Sequence, residues 1–267
     1  MSGSRIAAVV LRQLYLMRGS PARVIPLFVW VAVDVVLWGF ITTYLDAVTS
    51  AGFSFMPVLL GAVLLWDFLV RVMQGVTIAF FEDVWTRNFL NIFATPLSIS
   101  EYLAGLVFSS IVTSSAGLVV MLVLATAFFG LSFLAYGPSL LAVLLVLFLF
   151  GTALGIFSSA VVLRLGPASE WLIWPVPALI SPFVGVFYPL SVLPEWMRLV
   201  SHVLPPSYVF EGLRALVSGG TLSATLMLWG ASLSVFYIVA ACWCFARMYR
   251  HAVQTGLIAR YSAETVS

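Results

Sequence analysis

The sequence predicts an all-α polytopic membrane protein. It has six transmembrane helices, an N-terminal interfacial helix, a short cytoplasmic helix and an outer re-entrant helical hairpin. Three observations predict this. First, the 267 residues are 63% hydrophobic and 8% charged, more apolar surface than a water-soluble fold can hide, so the bilayer is the solvent. Second, six apolar runs match the about 20 residues that a spanning helix needs: 24–45, 58–80, 102–129, 139–163, 171–190 and 222–246. No interval between them is long enough for a soluble domain, so 1–267 reads as a single transmembrane domain. Third, the arginines are unevenly distributed. Arg5, Arg12, Arg18, Arg23, Arg87, Arg164, Arg247, Arg250 and Arg260 fall in alternate connections and the two ends, whereas Arg198 and Arg214 fall in one opposite connection. The positive-inside rule then places both termini in the cytoplasm of a multi-pass protein of the cell (inner) membrane.

The first segment, 1–23, is helix-compatible up to Gly19-Ser20-Pro21. Arg5 and Arg12 share nearly one helical face, as arginines that snorkel to headgroups do. The segment is either a membrane anchor or a mechanical connector to a cytosolic partner. The first apolar run is span-length and lacks a cleavage-site pattern, so it is expected to remain as a span.

The connection 82–101 (EDVWTRNFLNIFATPLSISE) is a polar island between two spans. Phe89, Leu90, Ile92 and Phe93 recur at helical spacing, with Arg87, Asn88 and Asn91 on the polar side. Thr95-Pro96 ends that helix, because a residue before proline avoids the α region. Ser98 or Ser100 then caps the third span. Such an island either touches something outside the bilayer or lies passively on the headgroups.

The fifth run carries Pro175, Pro177, Pro182 and Pro189, which predict a kinked span. The outer segment 191–220 is apolar for a loop. Two amphipathic stretches flank Pro205-Pro206, predicting a hairpin that dips into the outer leaflet or a cap over it.

Charges within spans are costly and therefore conspicuous. Asp67 and Arg71 stand four residues apart on one face of the second span, and Asp34 is near the middle of the first. They are a structural ion-pair group or a substrate or gating site. Trp30, Trp38 and Trp66 are candidates to face a hydrophobic substrate, but nothing in the sequence separates them from lipid-facing positions.

Several chemistries are excluded. All twelve basic residues are Arg, so there is no phosphate-binding loop with its lysine, and ATP hydrolysis is not expected in this chain. His202 and His251 belong to opposite sides of the membrane. Cys242 and Cys244 point about 200° apart on a helix. No metal site, nucleic-acid partner or bound cofactor is expected.

The layout resembles the membrane (permease) subunit of type-2 ABC exporters. The resemblance rests on Glu82, Asn88-Phe89-Leu90 and Ala94-Thr95-Pro96-Leu97-Ser98 leading to Gly105. It also rests on Phe187-Tyr188-Pro189-Leu190 followed by Pro194, Leu204-Pro205, Tyr208, Glu211 and Arg214. It implies an exporter of amphipathic or hydrophobic molecules of the drug, lipid or glycan class. Cytosolic ABC ATPase subunits holding ATP-Mg, and a second copy of this or a similar permease, would complete it as a dimer in the lipid bilayer. Residues 82–101 would be the coupling helix, with Glu82, Asp83, Arg87, Asn88, Phe89, Asn91 and Pro96 at the ATPase interface and Phe89 as the apolar anchor. Tyr188, Pro194, Pro205, Tyr208, Glu211 and Arg214 would form the outer gate. The alternative is an ion-coupled carrier or a membrane scaffold that uses Asp34, Asp67 and Arg71.

Overall fold

A computed structural model of the protein describes residues 1–48, 56–86 and 88–256. Among these the chain is mostly helical, with no strand. The helices are α1 (Gly3–Arg18), α2 (Pro21–Val48), α3 (Gly61–Trp85), α4 (Phe89–Phe93), α5 (Ile99–Phe129), α6 (Pro138–Leu165), α7 (Val176–Val184), α8 (Glu195–Ser201), α9 (Pro205–Val217) and α10 (Ala224–Gln254).

Five helical stretches are long and apolar enough to cross a membrane: Pro21–Val48, Pro57–Trp85, Ile99–Phe129, Pro138–Leu165 and Ala224–Gln254. Their ends follow local chemistry. α2 starts on Pro21, whose fixed φ suits a first turn. Ser98 caps α5 through a reciprocal box: its hydroxyl accepts from the Glu101 amide at 3.3 Å, and the Glu101 carboxylate accepts from the Ser98 amide at 2.9 Å. α4 stops before Thr95-Pro96, as expected. α3 overruns its predicted end and carries Glu82 and Asp83 inside the helix.

Cross-contacts fix the directions. Val72 and Val76 of α3 lie against Gly151 and Gly155 of α6, so these helices are parallel. Val146 meets Gly230, and the Phe150 and Tyr237 rings stack edge-on at 5.4 Å, so α6 and α10 are parallel too. α2 and α5 run the other way. Arg23 meets Glu82 and Asp34 meets Arg71 on one side of α3. Tyr102 meets Asp83 and Ser110 meets Val72 on the other. Two apolar clusters fill the bundle. One lies around Phe133, Phe150 and Phe210, the other around Phe80, Phe81, Tyr102 and Phe245.

Because α6 and α10 are parallel, the chain must return along the bundle between them. The predicted span over 171–190 is not the single helix that makes this return. In its place stand a 3-10 turn at Pro167–Leu172 and the nine-residue α7. Nine residues rise about 14 Å, against a hydrocarbon core of about 30 Å. The prolines are the cause, since each removes an amide from the helical ladder. Ile173 packs in one cluster, while Val184 and Val186 pack in the other, so the short segment still links both ends of the core.

Gly151 and Gly155 set the spacing of α3 and α6. A Cβ on Gly155 would lie 2.7 Å from the Val76 Cβ and 2.8 Å from the Met73 carbonyl. Small residues at i and i+4 let membrane helices approach this closely, where dispersion replaces the missing hydrophobic drive. Gly155→Ala should therefore lower stability by about 1–3 kcal/mol, read as an earlier thermal unfolding midpoint in detergent. Gly3→Ala, at the start of α1 with open space around it and no positive φ, should leave the midpoint unchanged.

Candidate functional site

The side chains with chemistry gather in three places. The first is a layer of ion pairs where α1 crosses the ends of α3 and α5. Asp83 is wholly buried. It forms a salt bridge with Arg12 and accepts a hydrogen bond from the Tyr102 hydroxyl at 2.7 Å. Glu101, also buried, accepts from the Ser2 amide at 2.7 Å and pairs with Arg5 at 3.4 Å. Arg23 Nε lies 2.9 Å from Glu82. The Gln13 amide donates to the Ala79 carbonyl at 3.2 Å. Four segments, α1, the start of α2, the end of α3 and the start of α5, are thus joined by charge.

This layer places residues of three expectations within the chain's own contacts. Arg5 and Arg12 do not snorkel to headgroups; they reach acids on other helices. Glu82 and Asp83 face Arg23 and Arg12 of this chain. Phe89 is buried between Phe80 and Tyr102, with ring centroids at 5.4 and 6.2 Å, so it anchors the island to its own core. Among the described residues, the exposed part of the island consists of Trp85, Thr86, Asn91, Ala94, Thr95, Pro96, Ser98 and Ser100, with Asn88 half-buried and bonded to Asn91 at 3.1 Å. Arg87 lies outside the described residues, as do the side chains of Leu90 and Phe93. Arg12, Arg23, Glu101 and Tyr102 were missed as site residues. For Glu101 the signal was present in the Ser-x-x-Glu pattern of 98–101. For Arg12 and Tyr102 no local pattern identifies a partner.

The second place is the intramembrane group. Arg71 binds Asp67 with two bonds, Nε at 2.6 Å and Nη2 at 3.2 Å, and its Nη2 lies 3.9 Å from Asp34. The structure brings all three predicted charges together. They stand at one end of a cavity of about 820 Å³ between α1, α2, α3 and α5. Trp30 lines this cavity, whereas Trp38 stacks on Phe187 at 5.5 Å and Trp66 lies against Phe210 at 6.2 Å.

The third place is the outer segment. Arg214 of α9 donates to the carbonyls of Gly185, Val186 and Tyr188, the last at 2.8 Å, and pairs with Glu211 at 3.1 Å. Glu211 in turn accepts from the Leu190 amide at 3.0 Å. The guanidinium thus satisfies the carbonyls left over where α7 ends. Gly185 makes that end possible, since its φ of +73° suits only a residue without a Cβ. Burial pushes the Arg214 guanidinium below its ordinary pKa, and Glu211 opposes the shift. Tyr188 donates to the Pro182 carbonyl and Tyr208 to the His202 carbonyl, both at 2.8 Å. Pro194 precedes α8. Pro205 and Pro206 are the first turn of α9, where proline is tolerated, and not a spacer between helices.

These features define a polytopic helical membrane protein whose charged groups, among the described residues, lie towards helix ends or line an internal cavity. The sequence profile of the ABC-2 type transporter family matches residues 6–217. The chain therefore belongs to that family and is a permease of an ABC transporter, a domain that is not itself catalytic. No curated protein sequence matches it.

Two outcomes follow from the ion pairs. Arg12→Ala leaves the buried Asp83 with the Tyr102 hydroxyl and costs on the order of 3 kcal/mol, the low end for a buried pair because Arg12 is partly solvated. Hydrogen exchange should rise in α1 while α6 and α10 stay protected, and Arg18→Ala should change neither. At the outer segment, Arg214→Lys keeps the charge but loses the planar fork. It should lower stability by about 1–2 kcal/mol, less than Arg214→Ala, as measured by thermal unfolding.

Proposed function

We propose that this chain is the permease subunit of an ATP-driven exporter that moves an amphipathic or hydrophobic molecule out of the cytoplasm or inner leaflet. Cytosolic ATPase subunits supply the energy, and a second copy of this or a similar permease completes the transport path. The observation that carries the coupling part of this reading is the ion-pair layer behind the island. The exposed surface of 86–96 is continuous with α3 and α5, and Arg12, Arg23 and Arg5 fasten those helices to α1 and α2. A partner that pushes on Asn91 and Pro96 moves four segments together.

The coupling interface is accordingly the exposed face with Asn88, Asn91 and Pro96, together with Arg87. Glu82, Asp83 and Phe89 hold that face in place from behind. The turn that leads into the outer segment packs on α2, where Phe187 stacks on Trp38, and Arg214 of α9 holds that turn through the Gly185 and Tyr188 carbonyls. This fits a gate that closes the path from outside, with Arg214 and Glu211 as its fastening. An ion-coupled carrier is supported less well: among the described residues, the acids at Asp34 and Asp67 form one local group, not a chain through the bundle.

Recovery of the tagged protein in mild detergent tests the reading. A P-loop ATPase should accompany it in near-equal amount. Arg87→Glu combined with Asn91→Arg should reduce the recovered ATPase at least tenfold while leaving the permease folded. Unchanged recovery would remove the island from the interface. Absence of any ATPase, where other membrane complexes survive the same preparation, would overturn the assembly.

A further inference from the structure

The cavity beside the intramembrane charges is built from three helical stripes. On α2 these are Arg23, Pro26, Trp30 and Asp34; on α3 they are Asp67, Arg71, Gln74, Ile78 and Glu82. α5 closes the wall with small residues, among them Ser114 and Gly117. From Asp67 to Glu82 the groove follows α3 for about 22 Å. An ion pair stands at each end, Arg23 with Glu82 and Arg71 with Asp67. Between them the lining is mainly aromatic and aliphatic.

The charges in this lining do not balance. Three carboxylates, Asp34, Asp67 and Glu82, face two guanidiniums, Arg23 and Arg71. Asp67 and Glu82 each have a guanidinium within 3 Å, whereas Asp34 hydrogen-bonds to the Asp67 carboxyl and stands 3.9 Å from an Arg71 already engaged with Asp67. Asp34 is also the most open of the three intramembrane charges. Its side chain is 34% exposed, against 16% for Asp67 and 9% for Arg71. An excess carboxylate among membrane helices is costly, and a positive charge in the cavity offsets that cost. Trp30 lies one turn from Asp34 on the same face and offers its ring to a cation or to an aromatic body.

We infer that this cavity is a binding site, within a single subunit, for a lipophilic organic monocation, with Asp34 as its charge partner and Trp30 as its aromatic wall. The inference rests on the transporter reading and narrows its substrate class. Its volume of about 820 Å³ lies in the range of small-molecule sites, about 300–1,000 Å³. The apolar walls take the body of the ligand, and the Asp34 end sets its orientation.

The test is calorimetric titration of the full chain in lipid nanodiscs, with empty nanodiscs as the blank. The probes are tetraphenylphosphonium and the neutral triphenylphosphine oxide. Tetraphenylphosphonium should bind the unaltered protein. Asp34→Asn should weaken it about tenfold, the worth of one modest ionic contact, and Asp34→Glu should restore most of the affinity. Gln74→Lys leaves Asp34 in place and adds a positive charge to the wall, so it should weaken the cation similarly and carries the test if Asp34→Asn does not fold. Triphenylphosphine oxide should be insensitive to all three. Cation affinity within twofold of the unaltered protein in the folded variants overturns the inference, as would happen if a shared proton balanced the acids. So does parallel loss of both probes, or no binding of the cation at all. None of these results bears on ATPase recovery, which reports on the transporter reading separately.

Discussion

A buried carboxylate at the edge of the membrane constrains the rest of this structure. Asp83 has no exposed surface, and an ionised acid in such a place must be paired and hydrogen-bonded. Arg12 and Tyr102 meet that demand from two other helices. Meeting it brings α1 across the end of α3 and sets the register of α5, because Tyr102 is in the first turn after the Ser98 cap. Glu101, one residue before Tyr102, is then within reach of Ser2 and Arg5. The short helix α4 and its Phe89 fill the angle between α3 and α5. The polar island is therefore a rigid corner whose exposed face is backed by ion pairs.

The same economy recurs at the other end of the bundle with a different group. There the problem is a set of carbonyls freed where α7 stops, and one guanidinium serves three of them while holding Glu211. Charge is thus used at both ends of the bundle to fasten irregular chain to regular helix. In the middle, by contrast, helices are held by close approach of small residues, as at Gly151 and Gly155 against α3. The cavity is where neither device is complete: its walls stand apart, and its acids outnumber their arginines.

Much of the fold was legible in local patterns. Pro21 opens α2, the Ser98 to Glu101 box opens α5, and Thr95-Pro96 closes α4, each by chemistry that acts within a few residues. The spacing of Asp67 and Arg71 announced their pairing, and Asp34 was a reasonable third member. At 171–190 apolar content and length argue for a span and the prolines for a kink, and the structure has a 3-10 turn and a nine-residue helix there in place of one long helix. Phe89 was likewise open to two readings. A phenylalanine on a short amphipathic helix satisfies its periodicity whether it faces a partner or its own core, and the rings of Phe80 and Tyr102 are what decide.

The sequence by itself determined that the chain lives in a bilayer, that its long apolar runs are largely helical and, where a cap or a proline stands, where some helices begin and end. These follow from hydrophobic length, which is read along a single helix, and from caps and prolines, which act over one or two helical turns. Only the tertiary structure decided which charge meets which. Arg12 and Asp83 are 71 residues apart and Ser2 and Glu101 are 99 apart. Their meeting depends on the directions and spacing of whole helices, which close packing between α3, α5 and α6 sets and no local pattern encodes.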